Sequence, residues 1–174
     1  MRPVGRRGDK EIGEARFIVD SMLGSLAKWL RLMGYDTLYS RTYSDWQILR
    51  IAKSSGRIIV TRDRWLHSKA RKMGLKSIYI ESLSTEERLA ELSAKAGLDL
   101  RLEPERSRCP ICNGVLEPVD KEAVRDRVPE ATYRVVDKFY VCTRCGKVYW
   151  EGAHWRNMRK TLEEAIKLSR LRRS

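Results

Sequence analysis

The sequence predicts an α/β fold, in which a parallel sheet flanked by helices is followed by a small four-cysteine ribbon and a basic C-terminal helix. Three observations support this class. Short β-prone runs alternate four times with amphipathic segments over residues 16–103. Residues 104–155 contain all four cysteines, in two pairs, and are otherwise β-prone. Residues 156–174 return to helical spacing and carry seven Lys or Arg against two Glu, which makes this helix basic.

The first strand–helix unit begins with "RFIV", whose apolar residues predict a short buried strand. The segment that follows, "SMLGSLAKWLRLMG", has apolar side chains at helical spacing and a final glycine, Gly34, that can end the helix. The helix face expected to be buried consists of Met22, Leu23, Leu26, Leu30 and Met33.

The second unit consists of the strand "DTLYS" and the helix "SDWQILRIAKSSG". Ser44 and Gln47 have the spacing of a capping box, in which each side chain accepts a hydrogen bond from the other residue's backbone. Gly56 is the expected C-terminal cap of this helix.

Two further units complete the predicted sheet. "RIIVT" is a strong strand, and "RDRWLHSKARKMG" is a helix that ends at Gly74. "KSIYI" is the fourth strand, and "STEERLAELSAKAG" is a helix with a second capping box, formed by Ser84 and Glu87. This alternation indicates parallel strands joined by right-handed helical crossovers.

Three aspartates follow strands of the predicted sheet. Asp20 follows the first strand, Asp63 follows the third, and Asp45 begins the helix after the second. Because ligands of open parallel sheets bind at the carboxyl ends of the strands, these side chains should share one edge. Asp36 precedes the second strand and should lie at the opposite edge.

Two interpretations of these aspartates are open. Each one could cap a helix or interact with its dipole, and then no ligand is implied. Taken together, three carboxylates at one edge repel each other, and a cation would compensate their charge. Oxygen ligands suit Mg²⁺ or Mn²⁺. Such a site suits metal-assisted hydrolysis of a phosphodiester, with Asp20, Asp45 and Asp63 as the catalytic residues.

The cysteines form two pairs with the spacing of metal ligands, "CPIC" and "CTRC". Four thiolates around Zn²⁺ make a closed structural site, so the expected ligands are Cys109, Cys112, Cys142 and Cys145. The glycine that follows each pair allows a tight backbone turn around the sulfurs. The alternative is a pair of redox dithiols, which requires thiols of low pKa.

The charge of the chain favours a polyanionic partner. Its 36 Lys and Arg outnumber 23 Asp and Glu, giving a net charge of +13 and a pI near 9.9. A one-sided excess suits phosphate contacts, although charged surfaces also serve solubility. The expected RNA-binding residues are Lys69, Arg71 and Lys72 on the third helix, and Trp150 and Arg156 near the second cysteine pair. The aromatic residues there could equally pack the ribbon against the sheet.

No apolar run approaches the roughly 20 residues that a membrane span needs. The start, "MRPVGRRGDKEIGEAR", is basic and lacks the apolar region of a secretory signal. The expectation is a cytoplasmic protein with no membrane partner and a flexible basic leader at residues 1–15.

Together, these segments resemble a known family. "FIVDSMLGSLAKWLRLMGYDTLYS", "SDWQILRIA", "RIIVTRD", "CPICNG" and "CTRCGKVYWEGAHW" are similar to the PIN-like ribonuclease domain named from the C-terminal part of the mutator-seven exonucleases. The resemblance covers about residues 16–158 and implies a PIN-like nuclease domain, assigned to 16–103, and a zinc ribbon, assigned to 104–155. The basic helix at 156–174 is predicted from its own spacing and charge. The resemblance also implies divalent-metal RNase activity, with the family's acids at Asp20, Asp45 and Asp63.

Two features depart from the resemblance. PIN domains often have a fourth acid after the fourth strand, where Glu81 is the candidate, although Glu81 does not belong to the recognised pattern. Relatives often carry two adjacent acids where this chain has Ser44 and Asp45.

The sequence therefore predicts a Mg²⁺- or Mn²⁺-dependent endoribonuclease with a structural Zn²⁺ ribbon that aids RNA binding. The alternative is a non-catalytic module on a PIN scaffold that binds RNA, the ribosome or a tRNA. DNA cleavage is a weaker third option.

Overall fold

The computed structural model describes residues 15–173, so the predicted leader lies outside the described residues except for Ala15. Four parallel strands form one sheet in the order β2-β1-β3-β4. They are β1 (Phe17–Val19), β2 (Thr37–Tyr39), β3 (Ile58–Thr61) and β4 (Ser77–Tyr79). The predicted α/β class and the parallel sheet are confirmed.

Helices connect these strands as the sequence predicts. They are α1 (Gly24–Leu32), α2 (Asp45–Ser55), α3 (Arg64–Lys72) and α4 (Thr85–Ala96). Both predicted capping boxes form, at Ser44 with Gln47 and at Ser84 with Glu87. Gly56 and Gly97 end their helices in the left-handed conformation, which glycine adopts without steric cost.

The helices cover both faces of the sheet. Phe17 and Val19 of β1 point to the face covered by α1 and α4, and Ile18 points to the face covered by α2 and α3. Adjacent strand residues point to opposite faces, so a continuous apolar run such as "FIV" is buried on both sides.

The predicted burial of Met22 is wrong, because this side chain is 64% exposed. Residues Ser21–Leu23 form a 3₁₀ turn before α1 begins at Gly24. A 3₁₀ helix has 3.0 residues per turn, whereas an α-helix has 3.6. Met22 therefore does not point in the direction that α-helical spacing predicts. The other members of the predicted face are buried: Leu23, Leu26, Leu30 and Met33.

The ribbon is an antiparallel sheet in the order β5-β6-β7. Its strands are β5 (Leu116–Val119), β6 (Phe139–Cys142) and β7 (Val148–Trp150). The connection from β5 to β6 contains a 3₁₀ helix, Lys121–Arg127, and the short helix α5 (Glu130–Val135), neither of which was predicted from the sequence.

The C-terminal helix, α6 (Ala153–Arg173), begins three residues before the predicted boundary at 156. It packs against α4. Its buried residues Trp155, Met158, Leu162 and Ala165 belong to the core that also contains Phe17 and Leu89. The basic helix therefore completes one face of the N-terminal sheet.

Over the part of the chain that the structure describes, no helix combines the length and the apolar character needed to cross a membrane.

Candidate active site and metal centre

The strand order creates a switch point between β1 and β3, because the chain leaves β1 toward β2 on one side and later returns to β3 on the other. Crevices at such points, at the carboxyl ends of the strands, are the usual ligand sites of open α/β sheets. Asp20 follows β1 and Asp63 follows β3, and Asp45 is the first residue of the helix after β2. The topology therefore places all three at this edge.

Asp20 is a buried carboxylate, with 4% of its surface exposed. The Thr61 hydroxyl donates a hydrogen bond of 2.8 Å to Asp20 Oδ2. The same hydroxyl accepts a hydrogen bond of 2.9 Å from the backbone N–H of Asp63. Thr61 was not among the predicted site residues, although it ends β3 two positions before Asp63.

Asp63 is the N-cap of α3. Its Oδ1 accepts a hydrogen bond of 2.8 Å from the backbone N–H of Leu66. The capping interpretation is correct for this residue, yet it uses only one carboxylate oxygen. Within residues 15–173, Oδ2 of Asp63 takes part in no hydrogen bond, so capping does not preclude a ligand on that atom.

Asp45 does not cap α2, because Ser44 does. Among the described residues its carboxylate has no hydrogen-bond or ion-pair partner. Partial burial raises the pKa of Asp45, and the negative charges of Asp63 and Asp20 raise it further. The Asp45 carboxylate is thus close enough to Asp63 and Asp20 to be repelled by their charges.

The cysteines, and not the aspartates, form a preassembled group of metal-ligating side chains. In the described chain, the cysteines are the only group of three or more ligating side chains placed so that they could hold a metal ion, and their donor atoms all lie within 4.8 Å of one another. Direct ligands of one Mg²⁺ at about 2.1 Å can be no more than about 4.2 Å apart. Within residues 15–173, the three aspartates do not form such a group.

Asp36 lies at the opposite end of the strands, where its carbonyl accepts a hydrogen bond from the Phe17 N–H at the start of β1. Its carboxylate forms a bidentate ion pair with Arg57 at 2.9 and 3.1 Å. Asn113 Nδ2 donates a further bond of 2.7 Å to Asp36 Oδ1. These bonds give Asp36 a structural role.

Glu81, the candidate fourth acid, follows β4 and is exposed. The buried acid nearby is Glu91 on α4, which is 2% exposed and was not predicted. Its carboxylate accepts hydrogen bonds from the N–H groups of Glu81 and Ser82 at 2.9–3.2 Å and pairs with Lys95 at 2.7 Å. Burial opposes ionisation, but Lys95 and these donors lower the pKa of Glu91 to about 2. Glu91 thus fixes the loop after β4.

The predicted basic residues of α3 lie at different distances from the aspartate edge. Lys69 Nζ lies 5.4 Å from the ring centroid of Trp46, the residue after Asp45. Arg71 and Lys72 are exposed in the last turn of α3. At 1.5 Å per residue that turn is about 12 Å from the start of the helix, so these two cations do not border the aspartates.

A groove of about 400 Å³ runs from the start of α1 to the first cysteine pair. Gly24, Tyr39 and Arg41 line its end near the aspartate edge, and Pro110 and Ile111 line the other end. Lys28 and Arg31 lie between these ends, and among residues 15–173 no acidic side chain lines the groove. Its charge suits a chain of phosphates.

The four cysteines form one compact cluster, and none is in a disulfide. Sγ atoms of Cys109 and Cys145 are 3.7 Å apart, and those of Cys112 and Cys142 are 3.4 Å apart. Tetrahedral zinc with Zn–S bonds of about 2.3 Å requires sulfurs about 3.8 Å apart. The donor set and its spacing therefore fit a zinc ion.

Backbone turns and donors surround these sulfurs. A side chain on Gly114 would lie 2.6 Å from Cys142 Sγ, so only glycine fits there. Burial raises the pKa of the Cys142 thiol, but the N–H groups of Cys145 and Arg144 more than offset this and lower it to about 7. The Tyr149 hydroxyl is 3.0 Å from Cys109 Sγ. Burial and the neighbouring sulfurs raise the pKa of the Cys112 thiol to about 12, so the backbone donors favour the thiolate form at Cys142 in particular.

The first cysteine pair is attached to the N-terminal sheet. Arg31 of α1 donates hydrogen bonds to the carbonyls of Pro110 and Ile111 at 3.0 and 3.3 Å. Asn113 Oδ1 accepts a hydrogen bond of 3.0 Å from the N–H of Thr37 in β2. The ribbon and the sheet are thus joined by buried polar contacts.

The other predicted RNA-binding residues lie on the ribbon side. Trp150 and Trp155 line a cleft of about 370 Å³ that also contacts Leu32, the last residue of α1. Trp155 is buried in the core of the sheet, which is the packing role left open above, and Arg156 is exposed beside it. Because α1 begins beside Asp20, the cleft lies about one helix length, or about 13 Å, from the aspartate edge.

One comparison with known proteins gave a match. The family model described as "Mut7-C RNAse domain" matches residues 15–162, which include the aspartate edge and the cysteine cluster. No curated protein and no solved structure matches the chain. The family resemblance carried by the sequence motifs is confirmed.

Proposed function

The chain belongs to the Mut7-C RNAse domain family, and from this premise we propose that it is a metal-dependent endoribonuclease that hydrolyses RNA phosphodiesters on a PIN-like sheet. The observation that supports the proposal is that Asp20, Asp45 and Asp63 follow strands at the same edge of the sheet, with Asp45 within electrostatic reach of the other two. RNA is the substrate class that the family implies.

Asp20, Asp45 and Asp63 would hold the catalytic Mg²⁺ or Mn²⁺. All three offer only oxygen atoms, which both ions prefer, and a cation would relieve the repulsion that Asp63 and Asp20 exert on Asp45. When bound, the ion would activate water and neutralise charge on the reacting phosphate.

The three aspartates are held to different degrees. Asp20 is fixed by Thr61, and Asp63 is fixed by its N-cap bond, so both present an oxygen from a rigid position. Asp45 has no partner within residues 15–173 and is free to adjust to a ligand. Without a cation the edge repels phosphate, so productive RNA binding at this edge requires neutralisation of these carboxylates.

The groove beside α1 would guide the RNA backbone to this edge. Lys28 and Arg41 are exposed cations, and Arg31 is a buried one. They lie on a path between the aspartate edge and the ribbon. We propose that phosphates upstream or downstream of the cleaved bond bind here through charge.

The ribbon would hold Zn²⁺ with Cys109, Cys112, Cys142 and Cys145. This zinc is structural, since four thiolates leave no position for water or substrate. The ribbon would add RNA contacts through residues such as Trp150 and Arg156.

An RNase assay tests the proposal. Single-stranded and structured RNAs are incubated with Mg²⁺, with Mn²⁺ or with EDTA. We expect cleavage inside the chain that EDTA abolishes and that Asp20→Asn removes. RNA binding without cleavage under any divalent metal would instead support the non-catalytic RNA-binding module. The ribosome or a tRNA would then be candidate partners.

A further inference from the structure

Two exposed tryptophans lie beside the aspartate edge. Trp46 is 57% exposed and Trp65 is 50% exposed. Each is the second residue of its helix, Trp46 directly after Asp45 and Trp65 two residues after Asp63. Their positions on α2 and α3 place both rings at the carboxyl ends of the strands.

The two rings form one unit. Their centroids are 5.7 Å apart and their planes are inclined by 73°, an edge-to-face contact. Lys69 Nζ approaches the Trp46 ring at 5.4 Å, which places a positive charge next to the pair. The contact restrains both side chains while about half of each remains open to solvent.

The exposure of these rings points to a bound ligand. Burial of a large aromatic side chain is favourable, so an exposed pair of such side chains indicates a binding surface. Met22, two residues after Asp20, is the third exposed apolar side chain next to one of the aspartates. The exposed indole rings offer the flat aromatic surface on which nucleobases stack.

We propose that Trp46 and Trp65 form a stacking platform for an unpaired RNA base next to the phosphodiester that is cleaved. This inference rests on the proposed function and extends it to a substrate preference. A base can stack on an indole ring only after it has left its own helix, so the platform selects single-stranded or looped RNA over duplex. Lys69 would contact the phosphate of the stacked nucleotide.

Leucine and phenylalanine substitutions distinguish aromatic stacking of a base from a non-specific apolar contact. The double variant Trp46→Leu/Trp65→Leu keeps apolar side chains but removes both rings, whereas Trp46→Phe/Trp65→Phe keeps an aromatic face. Met73→Leu is the matched control, because Met73 is a partly exposed apolar residue at the other end of α3. All variants are made in an Asp63→Asn background, so that RNA remains intact during binding measurements.

Fluorescence anisotropy with a single-stranded oligoribonucleotide gives the first readout. Loss of one stacked base should weaken binding by about tenfold in the leucine variant, a value within the range known for base–aromatic stacking. The phenylalanine variant and Met73→Leu should bind within about twofold of the parent, a small fraction of that stacking effect. Binding of duplex RNA should be equal in all of them.

An abasic nucleotide gives the second readout. It is placed at each position of the oligonucleotide in turn, and at one position it should weaken binding by the parent about tenfold. The leucine variant should be insensitive to the same change. Two results would contradict the stacking proposal. If the leucine variant binds single-stranded RNA as tightly as the parent, the tryptophan pair is a protein-docking patch instead. If the abasic nucleotide weakens binding by the leucine variant as much as it does for the parent, the base does not stack on these rings. Absence of cleavage by the wild type would overturn the proposed function, but it would leave this binding comparison unaffected.

Discussion

The hydroxyl of Thr61 and the carboxylate of Asp20 are joined by a buried hydrogen bond of 2.8 Å. Because Thr61 also accepts from the N–H of Asp63, one hydroxyl links the ends of β1 and β3 at the switch point of the sheet. Thr61 is fully buried, so neither of these groups can exchange its partner for bulk water. The position of two proposed metal ligands therefore depends on a residue that would touch neither metal nor RNA.

Thr61→Val should destabilise the protein and slow cleavage. Valine has the shape of threonine but leaves the Asp20 carboxylate oxygen and the Asp63 N–H without this partner. Each unpaired buried group costs up to about 1–3 kcal/mol of stability. Chemical denaturation measures this loss, and Thr61→Ser should recover most of it. Thr161→Val on α6 is the control, because its hydroxyl makes only a long helical bond of 3.4 Å. Full activity and stability in Thr61→Val would show that the link is dispensable.

Asp63→Asn should abolish metal-dependent cleavage while the fold persists. Asparagine caps helices about as well as aspartate, so the bond to Leu66 N–H can be kept and only the charge is lost. RNA binding should survive or tighten, since a repulsion between carboxylate and phosphate is removed. Cleavage rates and binding constants are measured on the same RNA, with the exposed Asp126→Asn as control. If Asp63→Asn cleaves at the wild-type rate, the active site is elsewhere.

Glu91 makes stability depend on pH. Its pKa is lowered from 4.5 to about 2 in the folded chain, so its stabilising contribution is complete above about pH 5 and is lost as the pH falls toward 2. Thermal unfolding between pH 7 and pH 3 should therefore show a smaller acid-induced decrease of Tm in Glu91→Gln than in the wild type. At pH 7 the variant should be the less stable of the two. Glu163→Gln, an exposed substitution on α6, should leave the pH profile unchanged.

The sequence was sufficient to predict those structural features that depend on residues close together along the chain. The capping boxes at Ser44 and Ser84 depend on residues three positions away, and strand polarity depends on the order of elements. These local signals also placed Asp20 and Asp63 at one edge and Asp36 at the other. Met22 is the instructive exception, because a three-residue turn changes the period and no local signal distinguishes it from a helix.

Features that depend on distant residues could not be predicted in this way. Asn113 bonds to Asp36 across 77 positions of sequence, and Arg31 bonds to Pro110 across 79. Nothing in the pattern of either segment identifies the other as its partner. Glu91 has the spacing of an ordinary surface pair with Lys95, and its burial depends on how the loop after β4 folds back over α4.

The groove cations should govern the salt dependence of RNA binding. Lys28→Ala/Arg41→Ala should weaken binding and reduce the slope of log K against log salt by about 0.7–0.9 for each phosphate that the protein no longer neutralises. Arg71→Ala/Lys72→Ala removes the same charge from the far end of α3 and should change the slope less. The comparison is made by titrating RNA at several salt concentrations. A larger slope change in the Arg71/Lys72 variant would place the RNA backbone along α3 instead.

Loss of zinc should loosen the sheet as well as the ribbon. An independent ribbon could unfold by itself. Here, however, Arg31 donates hydrogen bonds to the carbonyls of Pro110 and Ile111, which lie between the first two cysteines. The adjacent Asn113 side chain bonds to Thr37 and Asp36 of the sheet. Metal binding is coupled to folding in such sites, so Cys142→Ser should release both contacts. Hydrogen exchange, followed with and without a chelator, should show loss of protection at the N–H of Thr37. The N–H groups of α4, which packs against α6, serve as the internal reference and should stay protected.

Asn113→Ala should expose the Thr37 N–H while the four cysteines still bind one zinc per chain. Unchanged protection of Thr37 after zinc removal would show that the ribbon and the sheet fold independently.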